Sequence, residues 1–239
     1  AIAGWLNQNT GGLLSEETGN IRTDGNDLLR LYNTIYYKSG WQDAFKSSQT
    51  KQDTFTAADG AAQTVDFMHR TESGSYRKGD GYTAASRSLN YGRMVFVLPD
   101  EGVTPESLLQ RHGFLAGLTG DYNAAELVWS VPKFDVKSST ELNEVLQALG
   151  VTDAFDMAEA DFTPLTDNGA FLSSAMQAAR VKIDEEGVEA AAYTEIVCAD
   201  SAMMEVPPTV EMDLDRPFLF VIFDNSNVPL FVGTVNTMA

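Results

Sequence analysis

The segment "DEEGVEAAAYTEIVCADSAMMEVPP" (residues 184–208) decides how the rest of the chain is read. Its composition favours helix, with Glu and Val around the consecutive Ala190, Ala191 and Ala192. Gly187 at its head and the prolines at 207 and 208 oppose that reading. Counted by twos, Val188, Ala190, Ala192, Thr194, Ile196 and Cys198 fall on one side, small or apolar throughout. Glu189, Ala191, Tyr193 and Glu195 fall on the other and carry the charge and the bulk. A strand buried on one face requires that alternation. The preceding "AMQAARVKID" (residues 175–184) alternates in the same way, Ala175, Gln177, Ala179, Val181 and Ile183 against Met176, Ala178, Arg180 and Lys182. Two strand-capable stretches therefore run in series, hinged at Gly187. A helix followed by a loop fits the pattern equally well.

Outward from this segment, strand signals outnumber helix signals. "LLRLYNTIYYKSGW" (residues 28–41) begins as an apolar run with β-branched and aromatic content and predicts a buried strand. "QTVDFMHR" and "RMVFVLPD" predict two more, and "ELVWSVPKFDVK" another that bends at Pro132. Thr104, Pro105 and Glu106 form a helix-start signal for "PESLLQRHGFLAG", which would include His112. "STELNEVLQALG" predicts a short helix with Leu142, Val145, Leu146 and Leu149 on one face and Gly150 as its stop. In "RPFLFVIFDNSNVPLFVGTV" the run at 218–223 is wholly apolar, so it predicts a strand covered on both faces and a hairpin central to the fold. The fold class is α+β, with more strand than helix.

Charge and missing motifs narrow the function. Of 239 residues 44% are apolar, enough for a substantial core, and no apolar run is long enough to span a bilayer. The net charge is −18, with 13 basic and 16 acidic side chains in residues 1–137 but 3 and 18 in residues 138–239. That field repels phosphate backbones and anionic lipid, so neither nucleic acid nor a membrane surface is an expected partner, and no basic cluster offers a heparin-like site. A single cysteine, Cys198, excludes an internal disulfide framework. No nucleophile elbow, glycine-rich phosphate loop or metal-binding spacing occurs, so no catalytic residue, metal or cofactor is expected. "ESGSY" (residues 72–76) is expected to be a polar hairpin loop, and "MDLD" (residues 212–215) an acidic strand edge. The opening "AIAGWLNQNT" places Ile2, Trp5 and Leu6 on one helical face, as if the chain began inside an amphipathic element.

"EEGVEAAA", the variable stretch, the two prolines and "RPFLFVIFDNSNVPLFVGTV" together resemble the signature of the serpins, a superfamily of serine protease inhibitors, here in its bacterial-type branch. "LYNTIYYKSGW" is similar to the family's central-sheet strand with its asparagine and tryptophan, here Asn33 and Trp41; "FVLPDEG", "VPKFDV" and "LQALGVTDAF" follow in family order. The resemblance covers the chain, residues 1–239, as the C-terminal portion of a single serpin domain with a reactive loop at about 187–206. It implies a suicide substrate whose loop, once cut, inserts into the central sheet and traps the protease as an acyl-enzyme. It also implies an inhibitor that is no enzyme and works in a secreted or extracytoplasmic setting.

The resemblance assigns the hinge and inserting loop to Glu186, Gly187, Val188, Glu189, Ala190, Ala191, Ala192 and Thr194, and the sheet-opening region to Asn33, Trp41 and Gln177. Counting from the hinge glycine places the scissile bond at Ser201–Ala202; counting back from the prolines leaves Met203 and Met204 as alternatives. No Lys or Arg lies between Lys182 and Arg216, so the expected partner is an elastase-like or subtilisin-like serine protease and a trypsin-like one is disfavoured. Gln177 stands where many serpins have a histidine, and a glutamine amide both donates and accepts without titrating. The family's N-terminal helices and first central-sheet strands have no counterpart in this chain, so an uncovered sheet edge open to pairing is expected. The alternatives are a non-inhibitory serpin-like binding or chaperone protein and an inactive truncated fragment.

Overall fold

A computed structural model describes residues 4, 5, 8, 29–35, 37–167, 169–188 and 207–238, the side chains of Tyr32 and Thr34 apart. The chain divides into two compact units, residues 1–37 with 137–181, and residues 38–136 with 182–239.

In the first unit β1 (Leu29–Ile35) pairs in parallel with β9 (Leu172–Ile183), in register from Arg30 opposite Ser174 to Ile35 opposite Ala179. Of the two readings that the pattern of residues 175–183 allows, strand is the one that forms. The predicted buried strand at 28–41 is shorter and less buried than expected, because β9 is its only ladder partner among the described residues and Leu31 stays 52% exposed. The helix predicted by "STELNEVLQALG" forms as Asn143–Ala148, but its apolar stripe is only partly covered, with Leu142 and Leu146 half-buried and Val145 and Leu149 exposed. Spacing alone makes a stripe; a partner must cover it.

The second unit is built on eight strands, with the ladder order β11-β7-β4-β5-β6-β12-β13 and β3 beside β4. These are β3 (Lys51–Thr56), β4 (Ala62–Gly79), β5 (Tyr82–Ser88), β6 (Arg93–Pro99), β7 (Asn123–Pro132), β11 (Thr209–Asp213), β12 (Phe218–Phe223) and β13 (Pro229–Val235). β8 (Phe134–Glu141) follows β7 after the bend at Pro132. Every residue of β12 is buried, as an all-apolar run demands. Leu219, Val221 and Phe223 pack with Val95 and Val97 against Leu108, Phe114 and Leu118. On the opposite face Phe218 meets the rings of Phe55, Phe96 and Phe134. Each such ring withdrawn from water contributes roughly 1.5–3 kcal/mol. The hairpin is less central than predicted: among the described residues β13 is the last strand of the ladder, and Leu230 and Val232 are exposed.

Two other expectations are corrected. Residues 72–76 are no hairpin loop; they lie inside the 18-residue strand β4, paired with β7 from Glu72 opposite Leu127 to Tyr76 opposite Asn123. Gly74 serves close packing there, since a Cβ would sit 2.6 Å from Leu127 Cδ1. The helix expected over 105–117 forms as two short ones, α1 (Pro105–Leu109) and α2 (Phe114–Gly117), and His112 falls in the turn between them. Thr104 caps α1 as predicted, its side chain accepting from Ser107 N.

Candidate functional site

Past Ile183 the chain turns sharply and returns as β10 (Gly187–Val188), which pairs antiparallel both with Ile183 and with β2 (Ser39–Gly40). Asp184 makes the turn. Its carboxylate Oδ1 accepts from the amides of Glu186 (2.9 Å) and Gly187 (3.3 Å), and its own amide donates to Gly187 O at 3.1 Å. An aspartate that accepts from amides two and three residues on closes a compact local turn at 184–187.

The three carbonyls of the turn all accept hydrogen bonds from one segment. Trp41 Nε1 donates to Asp184 O at 3.0 Å, Phe45 N to Glu185 O at 2.9 Å, and Trp41 N to Glu186 O at 2.9 Å. Each is worth about 1 kcal/mol net. Gly187 is required by two independent facts. Its φ of 147° is closed to side-chain-bearing residues, and a Cβ would lie 2.5 Å from Ser39 O and 2.6 Å from Gly40 Cα. Val188, the first residue of the small-residue face, is buried.

Glu185 ties the turn to two further elements. Its carboxylate accepts from Thr50 Oγ1 at 2.8 Å and pairs with Lys133 Nζ at 3.0 Å. Burial would raise its pKa, but the bonds from Thr50, its own amide and Lys133 prevail and hold it below its ordinary value. On the other side of residues 189–206, Pro208 O accepts from Glu126 N at 3.0 Å, and β11 then runs parallel to β7 from Thr209 opposite Glu126. The edge-strand expectation for "MDLD" agrees in part: among the described residues β11 ends the ladder, but the strand stops at Asp213 and Met212 and Leu214 are buried.

Of the predicted site residues, the structure brings Trp41 against Glu186, and Gly187 and Val188 beside β2. In the first unit Asn33 and Gln177 are direct partners across the parallel ladder. Glu189, Ala190, Ala191, Ala192, Thr194, Ser201, Ala202, Met203 and Met204 lie outside the described residues. Sequence reading missed Glu185, Thr50, Lys133 and Phe45. Glu185 is one of three consecutive carboxylates, and no local spacing tells which of them meets a lysine 52 residues away or a threonine 135 away.

This strand end and glycine-containing turn lie in a chain whose family the comparisons identify. The family model for "Serpin (serine protease inhibitor)" matches residues 1–238, and the chain belongs to this family. Serpins are mostly inhibitors and not catalysts. The chain is 32% identical over 246 residues to mouse glia-derived nexin, covering 97% of this chain and 60% of that protein. The native-state structure of the thermophilic serpin tengpin superposes with a TM-score of 0.82 at 28% identity, covering 99% of this chain and 62% of tengpin. Human thyroxine-binding globulin gives a TM-score of 0.81 at 26% identity, covering 100% of this chain and 63% of that one. The chain thus spans about three fifths of the length of the relatives it matches.

Proposed function

We propose that this chain carries the hinge and bait loop of a protease inhibitor that traps a serine protease by loop insertion. The observation that supports it most is the hinge: Gly187 fits only as glycine, and the residue after it is already paired as a strand beside the end of β9. The protease serine attacks the carbonyl of Ser201, or of a residue up to Met204. The peptide bond breaks, and the new amino terminus leaves while the acyl ester remains. Residues from Val188 onward then enter the sheet beside β9, with Val188, Ala190, Ala192 and Thr194 facing inward. Each is small enough to move quickly from solvent to a packed face, and none carries a charge that would have to be desolvated.

The lack of Lys and Arg between Lys182 and Arg216 favours elastase-like or subtilisin-like targets, because the buried aspartate of a trypsin-like pocket finds no basic side chain. To test this reading, the protein is mixed with an elastase-like serine protease and run on a denaturing gel. A protease adduct surviving denaturation is the expected result, with a released peptide starting at residues 202–205. Clean cleavage with no adduct would instead support the second reading, a non-inhibitory binding or chaperone protein. The likeness to thyroxine-binding globulin, a binder by its name, favours that second reading.

A further inference from the structure

The segment that holds the hinge carbonyls is itself held by a buried charge. Arg87, on β5, is 3% exposed, and its guanidinium lies 4.9 Å from the ring centroid of Trp41 and 4.0 Å from that of Phe45. Its Nε and Nη2 donate to the two carboxylate oxygens of Glu72 at 2.8 and 3.1 Å, and Nη2 also donates to Asp43 O at 2.6 Å. Arg70, two residues before Glu72 on β4, ion-pairs with Glu72 Oε2 at 2.6 Å and donates to Ala44 O at 2.8 Å. Two guanidiniums thus grip residues 41–45 at both rings and at two carbonyls. The same residues supply the three donors that hold 184–186.

A buried arginine is costly to desolvate and is tolerated only when paired and hydrogen-bonded. Burial does lower the pKa of Arg87, and the bond to Glu72 opposes that. An apolar side chain would fill the space between Trp41 and Phe45 at less cost. What it would not supply is direction: a planar fork fixed by a bidentate carboxylate sets the angle of both rings and the position of Asp43 O together.

We infer that the Arg87–Glu72 pair is a positioning clamp, which fixes residues 41–45 and through them sets how readily the hinge at 184–188 is released. The inference rests on the reading of Gly187 as a hinge. The clamp acts through Trp41 and Phe45 and has no contact with a protease.

The test is hydrogen–deuterium exchange on Arg87→Lys, which keeps the charge beside Glu72 but loses the planar fork, the stacking and the bond to Asp43. The amides of Trp41 and Phe45, which donate to the hinge carbonyls, are expected to exchange about tenfold faster, the change a lost charge-assisted hydrogen bond produces. The β12 amides of Val221 and Ile222, in the same unit, are expected to keep their rates within about twofold. Glu72→Gln, which retains the acceptor without the charge, is expected to give the same localised change and serves if Arg87→Lys does not fold. Unchanged rates at Trp41 and Phe45, or an equal rise at all four amides, would overturn the clamp, the second by making Arg87 an ordinary core member. The localised change without any loop insertion after cleavage would leave the clamp standing and sink the inhibitory reading.

Discussion

Replacing Gly187 by alanine is the perturbation the hinge geometry resists most. The backbone at φ 147° belongs to a region held almost only by glycine, and a side chain there costs about 1–3 kcal/mol. The new methyl would also sit 2.5 Å from Ser39 O, 2.6 Å from Gly40 Cα and 2.8 Å from Trp41 N. All three are backbone atoms, so β10 must draw away from β2, and the Trp41 N to Glu186 O bond lengthens for a further loss of about 1 kcal/mol. The total is about 2–4 kcal/mol. For a chain of this size each kcal/mol moves the thermal midpoint by about 2–4 °C, so a fall of about 4–16 °C is expected. Gly102→Ala is the control: it has a positive φ of 80° but nothing within 4 Å of the added carbon. Thermal unfolding of both variants, followed by near-ultraviolet circular dichroism, decides the matter. If Gly187→Ala lowers the midpoint no more than Gly102→Ala does, the close packing of the hinge against β2 is wrong.

Further outcomes follow from the same geometry. Trp41→Phe keeps a ring but removes the indole donor to Asp184 O, and is expected to cost about 1–2 kcal/mol in urea unfolding; an unchanged midpoint concentration would contradict it. Glu185 has a folded pKa below its ordinary 4.5, so its ionised form stabilises the fold. That contribution is fully present above 4.5 and is lost as pH falls through the lower, folded value. The stability gap between the wild type and Glu185→Gln should therefore close as pH is lowered through that window, and a constant gap in pH-dependent melts would refute the pairing with Lys133. Ser201→Arg is expected to make the loop cleavable by trypsin after position 201, where the unaltered chain offers no site between Lys182 and Arg216. Mass spectrometry of the fragments reads this directly, and resistance of the variant would show that position 201 is not presented to a protease.

The elements legible in the sequence are those whose causes are local. The run at 218–223 is apolar at every position, so a strand with both faces covered was its reading, and packing bears that out on both faces. Alternation over 175–183 allows strand and helix alike, and the ladder with β1 decides for β9; Gly187 marks a break between the two alternating stretches, but that the chain reverses there depends on Asp184 and on distant donors. Strand β4 was misread at 72–76 because a carboxylate, two serines and a glycine look like a turn. Their reasons for being in a strand are distant: Glu72 meets Arg87, and Gly74 makes room for Leu127. The donors that hold the hinge were invisible for the same reason, since Trp41 Nε1 meets Asp184 O across 143 residues. Apolar spacing in α3 (Asn143–Ala148) likewise reads the same whether or not anything covers the stripe.

In the proposed function the segment after Gly187 becomes a strand of the sheet once it is cut. The most direct measurement is the thermal midpoint before and after a single cleavage between Ser201 and Met204 by an elastase-like protease, with the fragments left together. Insertion adds a row of ladder hydrogen bonds at about 1 kcal/mol each and buries Ala190, Ala192 and Thr194, so the midpoint is expected to rise by on the order of 10 °C. A midpoint that stays the same or falls after the cut would contradict the claim.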